Sequence, residues 1–412
     1  MWRYVLIVVS VLVVMASFGC EGKKESLPTT NTGKISPAKP EPTADADKEL
    51  LKTIKNTVTK GVEFLISKQQ KDGSFGPSEH AVGITGLVIS AIANCDNELR
   101  EKYKNEISIG CKFLISKQQA DGSIFDQNQG LIVYKTSVSI MALCNADKKT
   151  YADTIKKAVN YVVKSQYWSD IDASDVKYGG WGYDDKKNTP RADLSNTQFA
   201  LEALNSYNLP KDDSVWEKST KFIGRCQQWT ETNDIKIPGV KILNDGGFTY
   251  GPADTRAQSK EKQIKDEEGN IIFPSYASMT YAGFKSLLYA NVKKSDSRVQ
   301  AAWRWIREHY TLEENYGMGS RQEPASSQQG LYYFYRSFGK ALLIWGERCI
   351  IDTNNVKHDW CKELVDKLIS LQKADGLWIN EADRWFESMP ELVTSYALDA
   401  LNSARLQVEN QK

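Results

Sequence analysis

Histidine is scarce and closely spaced cysteine is absent. The chain has 412 residues with three His, and its seven Cys contain no Cys-x-x-Cys. A zinc site built on short ligand spacing is therefore not expected, and no cofactor is called for. Charge of one sign is lacking too: 53 basic residues face 52 acidic ones, a formal net charge of +1. Nucleic-acid grooves and strongly acidic partners leave a lopsided balance, so neither is expected. The Gly-Cys-Gly-Glu-Gln string of thioester proteins is missing as well, since Gly110-Cys111 is followed by Lys112.

What is present begins with an apolar leader. Met1-Trp2-Arg3 carries one cation, residues 4–15 are almost unbroken aliphatics, and Ala16-Ser17-Phe18-Gly19 precedes Cys20. This predicts a signal peptide over residues 1–19 rather than a spanning helix. The small residues before Cys20 resemble the bacterial lipobox. That resemblance implies a lipidated Cys20 and an exported protein held at a membrane by its lipid, with Glu21 giving no inner-membrane retention signal. An uncleaved membrane anchor is the alternative, and it also places the rest outside the cytoplasm. Residues 20–47 hold Pro37, Pro40 and Pro42 with no apolar periodicity, and read as a disordered tether. In an oxidising compartment Cys349 and Cys361, flanking a short turn between two predicted helices, form the best candidate disulfide. Cys95 and Cys144, at equivalent repeat positions, read as buried thiols on neighbouring helices.

A duplicated string dominates residues 48–412. Phe64-Leu65-Ile66-Ser67-Lys68-Gln69-Gln70 precedes an Asp72-Gly73-Ser74 turn. It recurs as Phe113-Leu114-Ile115-Ser116-Lys117-Gln118-Gln119 before Asp121-Gly122-Ser123, and a third copy runs into Gln372-Lys373-Ala374-Asp375-Gly376-Leu377-Trp378. Weaker copies surround Gly180, Gly247 and Gly317, giving six units of uneven length. The helix before each Gly is amphipathic, as with Leu51, Ile54, Val58, Val62, Leu65 and Ile66. The segment after it is apolar or small all round, as over 82–93, 137–144, 197–204, 276–290 and 396–401. A helix apolar on every face must be buried on every face. Six alternations predict an all-α fold of six helix pairs in two concentric rings.

Gln-x-x-Asp-Gly followed by Ser or Leu and an aromatic, as at Gln69 to Phe75 and Gln372 to Trp378, resembles the repeat shared by squalene cyclases and the β subunits of protein prenyltransferases. The resemblance covers about residues 50–406 and implies an (α/α)6 toroid. It also implies a ligand cavity at the N-terminal ends of the inner helices, where positive helix ends favour negative charge. The Gln and Asp-Gly residues are structural on this reading. In squalene-hopene-type cyclases the third inner helix starts Asp-x-Asp-Asp-Thr, and the middle Asp donates the initiating proton. Here the string is Asp193-Leu194-Ser195-Asn196-Thr197. Ser195 stands where the acid is needed, and a hydroxyl cannot protonate an alkene. Against the prenyltransferases Asp193 matches a zinc ligand, but Ser195 stands where the ligand Cys is needed.

Asp193 therefore reads either as a helix N-cap or as a cavity carboxyl. The other cavity candidates are His80, Trp181, Tyr183, Ser195, Asn196, Tyr276, Tyr281, Tyr332 and Tyr333, whose rings can line an apolar pocket or simply fill the core. Glu387, Glu391 and Asp254 are further carboxyls near inner-helix starts, while Asp170, Asp172 and Asp175 read as a solvated loop. His309 and His358 look superficial. Three functions stay open: a cyclase-like toroid binding an isoprenoid-like apolar molecule, a non-catalytic ring binding a protein or lipid partner, and a polysaccharide lyase or hydrolase. A hydrolase would need two facing carboxylates about 5–10 Å apart.

Overall fold

The computed structural model describes residues 43–411 except 128, 168, 185–190, 258–262 and 320–323. Cys20, the leader and the tether up to Pro42 lie outside the described residues. The first helix starts at Ala44 rather than 48, because the Thr43 hydroxyl accepts the Ala46 N–H and caps it.

Among the described residues there are thirteen α-helices: α1 (Ala44–Ser67), α2 (Ala81–Ala93), α3 (Asn97–Lys102), α4 (Lys104–Ser116), α5 (Ile132–Asp147), α6 (Ala152–Lys164), α7 (Leu194–Tyr207), α8 (Ser214–Cys226), α9 (Ala277–Tyr289), α10 (Ser297–Glu308), α11 (Leu331–Trp345), α12 (Trp360–Leu371) and α13 (Pro390–Glu409). The inner ring closes on itself: α2 packs on α5, α5 on α7, α7 on α9, α9 on α11, α11 on α13, and α13 back on α2. The outer helices α1, α4, α6, α8, α10 and α12 each bury one stripe. In α1 that stripe is Leu50, Ile54, Val58, Val62 and Leu65. In α2 all thirteen residues are buried. Each aliphatic side chain so buried stabilises the fold by roughly 1.5–3 kcal/mol. The short α3 is an addition to the twelve-helix plan.

Three hydrogen bonds repeat from unit to unit and explain the sequence motif. Gln69, Gln118, Gln166, Gln227 and Gln372 each donate through Nε2 to the carbonyl of the turn glycine, at 2.9–3.2 Å. Each also donates to a carbonyl of the next outer helix (Glu106, Thr154, Val215, Arg298 and Thr57) at 2.8–3.1 Å. The amide thus ties consecutive outer helices together. Two residues beyond the glycine, the N–H of Phe75, Ile124, Trp181, Phe248 and Trp378 donates to Thr85, Thr136, Thr197, Thr280 and Thr394 on the inner helices, at 2.9–3.1 Å.

The turn glycine has φ between +86° and +97° in these five units, at Gly73, Gly122, Gly179, Gly246 and Gly376. A Cβ there would lie within 2.6 Å of a carbonyl oxygen on α4, α6, α8, α10 and α1 respectively. Both the backbone angle and the close approach require glycine. Gly179 and Gly246, the first of each Gly-Gly pair, hold this position, where the sequence pattern points to Gly180 and Gly247. Gly376 on α1 joins the last unit to the first. The fifth unit departs: Gly317 faces the Ser275 carbonyl instead.

The middle of the ring is filled by ions. Glu202 from α7, Lys285 from α9, Arg336 and Lys340 from α11, and Asp399 from α13 form one network. Arg336 gives Nη2 to Glu202 at 2.7 Å and Nε to Asp399 at 2.9 Å. Lys285 reaches Glu202 at 2.7 Å and the Gln198 amide oxygen at 2.6 Å. The Arg336 and Lys285 side chains have no exposed surface. Burial disfavours the Glu202 carboxylate, but Arg336, Lys285 and Lys340 overcome it and hold its pKa well below the usual range.

The all-α expectation needs one amendment. Two small sheets sit in the loops: strands β1 (Val240–Lys241), β2 (Ile264–Lys265) and β3 (Ile271–Ile272) in the order β1-β3-β2, and a hairpin of β4 (Cys349–Ile351) and β5 (Lys357–Asp359). The hairpin turns where Asp352 accepts the Val356 and Asn354 N–H groups. It also changes the expected disulfide. Cys361 is a free thiol, fully buried at the start of α12 two residues beyond Asp359, the register partner of Cys349.

Candidate functional site

The N-caps of α2, α5, α9, α11 and α13 are His80, Leu131, Tyr276, Gly330 and Met389, and none makes a side-chain capping hydrogen bond. All five line one cavity. Four outer helices, by contrast, are capped by Thr43, Asp213, Asp296 and Asp359. The cavity thus sits where inner-helix N-termini converge, which gives it a positive potential. Its volume is about 170 Å³.

Its walls are aromatic. Tyr134 and Phe199 meet edge to face at 5.1 Å, Phe199 lies 6.1 Å from Tyr333, and Tyr333 lies 6.1 Å from Tyr396. Tyr183, Tyr250 and Tyr276 complete the wall. Trp385 and Phe386, 38% and 52% exposed, mark where it opens to solvent. Both have positive φ, near +63° and +65°, a strained backbone for bulky residues. Phe386 leans on His80 at 4.6 Å.

The floor joins the ion network. Arg336 lies 4.9 Å over the Phe199 ring. The Ser195 and Tyr333 hydroxyls are 3.1 Å apart, and Gln198, which accepts from Lys285, donates to the Tyr333 hydroxyl at 3.2 Å. Moving along α7, α11 and α13, the cavity residues Phe199, Tyr333 and Tyr396 are followed one turn later by Glu202, Arg336 and Asp399.

Of the sequence candidates, His80, Tyr183, Ser195, Tyr276 and Tyr333 line the cavity. Asp193 is not among the lining residues. It is 2% exposed and caps α7, its carboxylate taking the Asn196 N–H and side-chain amide at 2.8 Å each. Burial pushes its pKa up to about 6, against those hydrogen bonds and Arg191. Asn196 is spent on this cap. Trp181 is wholly buried, giving Nε1–H to the Val162 carbonyl. Tyr281 packs between α9 and α11 on Phe334 and Phe338, and Tyr332 packs on Tyr335. Trp181, Tyr281 and Tyr332 serve the core.

Glu387 is the carboxyl that lines the cavity among the described residues. Only 1% exposed, it accepts the Tyr333 N–H at 2.8 Å and the Asn380 amide at 2.6 Å, and so caps α11 from another loop. Burial pushes its pKa up to about 7 despite those bonds. Glu391 is not among the lining residues, and Asp254 pairs with Arg191 and Arg256. Arg225 fixes the 170–175 loop by donating to the Asp175 and Ala173 carbonyls. His358 is less superficial than expected, stacked on Tyr310 at 4.1 Å and bonded to Glu363. No group of His, Cys, Asp and Glu among the described residues is placed to hold a metal ion.

The closed ring with a cavity at one end has recognisable counterparts. Residues 79–234 match the family model of the squalene-hopene cyclase C-terminal domain. No protein of curated function matches the chain. A substituted form of the type II terpene cyclase MstE from Scytonema, with merosterolic acid A as product, superposes with a TM-score of 0.54 at 11% identity, over 87% of this chain and 99% of that one. A second substituted form, with geranylgeranyl dihydroxybenzoate as substrate, gives 0.51 at 11% over the same shares. The unliganded enzyme gives the same figures as the second. The protein is a terpenoid cyclase-like α/α toroid. More particularly, the stretch similar to the squalene-hopene cyclase C-terminal domain runs from just before α2 to just beyond α8.

Proposed function

We propose that this toroid binds an isoprenoid-like apolar molecule in the cavity at the N-terminal end of its inner ring. The observation that carries this reading is the wall itself: rings from four inner helices, from the α9 N-cap and from three connecting segments enclose a concave space, the kind of surface that gains most from an apolar chain. The neighbouring cyclase that holds a geranylgeranyl substrate is consistent with it. Alkene protonation is not part of the proposal. Ser195 lines the cavity where a strong acid is needed, and Glu387, with a pKa near 7, is too weak an acid for an alkene. A hydrolase reading lacks its second carboxylate among the described lining residues. The proposal includes export and anchoring through a lipidated Cys20, supported by the apolar leader. No helix among the described residues is long and apolar enough to cross a membrane.

Organic extraction of the purified protein followed by mass spectrometry tests the reading. The expected result is an isoprenoid recovered near one molecule per chain. Recovery of polar oligosaccharide, or of no apolar compound together with no binding of added geranylgeraniol, would overturn it.

A further inference from the structure

We propose that the ligand is an amphiphile whose oxyanion head, phosphate-type or carboxylate, is held at the cavity by a cluster of three arginines. This rests on the reading above and adds the class of ligand. Arg191, Arg256 and Arg384 come from three separate segments. Arg256 lines the cavity and lies 4.2 Å over the Tyr250 ring, with Arg191 at 5.5 Å from the same ring. Arg384 donates to the Arg256 carbonyl at 3.1 Å and to the Gln329 amide oxygen at 2.9 Å, which brings the third guanidinium beside Arg256 and just behind the cavity lining. Arg191 and Arg256 share one carboxylate, Asp254, at 3.8 Å from Arg256. Arg191 also faces the buried Asp193 carboxylate, so three cations stand against two anions, a surplus of one positive charge among the described residues.

The remaining surplus is not cancelled by the other lining groups. Glu387 is engaged with the α11 backbone and Asn380. Lys135, the other cavity cation, has its own neighbouring acids in Asp126 and Asp184. Tyr276 faces the arginines but its pKa is driven well above the normal value by burial, so it stays neutral. Arg256 Nε is buried and has no hydrogen-bond partner among the described residues. A buried guanidinium N–H without an acceptor is costly, and a ligand oxyanion would satisfy it. Burial, with Arg256 beside it, lowers the Arg384 pKa, in line with an uncompensated pair. The converging helix N-termini add to the same field. An apolar wall with a cationic corner fits a prenyl chain that ends in an oxyanion, with guanidinium recognition of the head.

The test is calorimetric titration of the full chain with geranylgeranyl diphosphate, geranylgeranoate and geranylgeraniol. The expected result is an anionic probe bound at least about tenfold tighter than the alcohol, as charge-assisted hydrogen bonds allow. The preference should shrink toward one in an Arg256→Gln, Arg384→Gln double variant whose thermal midpoint is checked alongside, and fall with added salt in the native protein. Preference for the diphosphate assigns a phosphate-type head, and preference for the acid a carboxylate. Equal binding of alcohol and anions by the native protein overturns the inference while leaving the apolar-ligand reading intact. Binding of no probe overturns both.

Discussion

Replacing Arg336 by Met should lower the unfolding free energy by about 3–5 kcal/mol, read by urea denaturation at neutral pH. Arg336 has no exposed surface and, with Lys340, touches both buried carboxylates. Removing it strips Glu202 of its bidentate partner, with bonds at 2.7 and 3.2 Å, and leaves Asp399 with Lys340 at 3.5 Å. Met fills a similar volume, so the loss reflects two carboxylates left undercompensated more than a cavity. The network also supports the floor under Phe199, so added isoprenoid should bind less tightly in the same variant. A loss below about 1 kcal/mol would mean that water reaches Glu202, and the filled centre described above would be wrong.

The second large effect depends on pH. Glu387→Gln should match the native protein near pH 4 and exceed its stability by on the order of 1–3 kcal/mol at pH 8. The sign follows from the raised pKa. A carboxyl at 4.5 unfolded and about 7 folded binds its proton more tightly in the native state. Its stabilising, protonated form is complete below pH 4.5 and is lost as pH rises through 7. Glutamine mimics that protonated form at every pH and keeps one acceptor for the Tyr333 N–H, so it escapes the loss. Parallel stability–pH curves for the two proteins, or a variant weaker at pH 8, would contradict this account of Glu387.

Much of the fold was legible in the sequence because the motif repeats for local reasons. The Gln, the left-handed glycine and the inner-helix Thr recur since each repeat must make the same three bonds. The all-round apolar segments had no other place than an inner ring. The two Gly-Gly pairs were misaligned by one because either glycine fits a turn, and only the approach of Lys218 or Ala301 selects the first. The β4–β5 hairpin was not legible because its strands are short and polar in part.

The site was less legible. Tyrosines on inner helices look alike in sequence whether they face the cavity, as Tyr333 does, or the core, as Tyr332 does. One position turns the side chain by about 100° around a helix. Trp385, Phe386 and Arg256 sit in loops without periodicity, so no pattern pointed to them. The ion network was invisible for another reason. Glu202, Lys285, Arg336 and Asp399 are scattered over four helices, and only closure of the ring brings them together. Asp193 was correctly readable as a cap from its place before Leu194-Ser195-Asn196, with the Asn196 N–H supplying the bond.

Photolabelling measures the central claim most directly. A benzophenone-bearing geranylgeranyl analogue, irradiated with the full chain and mapped by peptide mass spectrometry, should mark peptides containing Phe199, Tyr333 or Tyr396. Unlabelled geranylgeraniol should suppress that marking. Labels on the outer faces of α8 or α10, undiminished by competitor, would contradict a ligand held inside the ring.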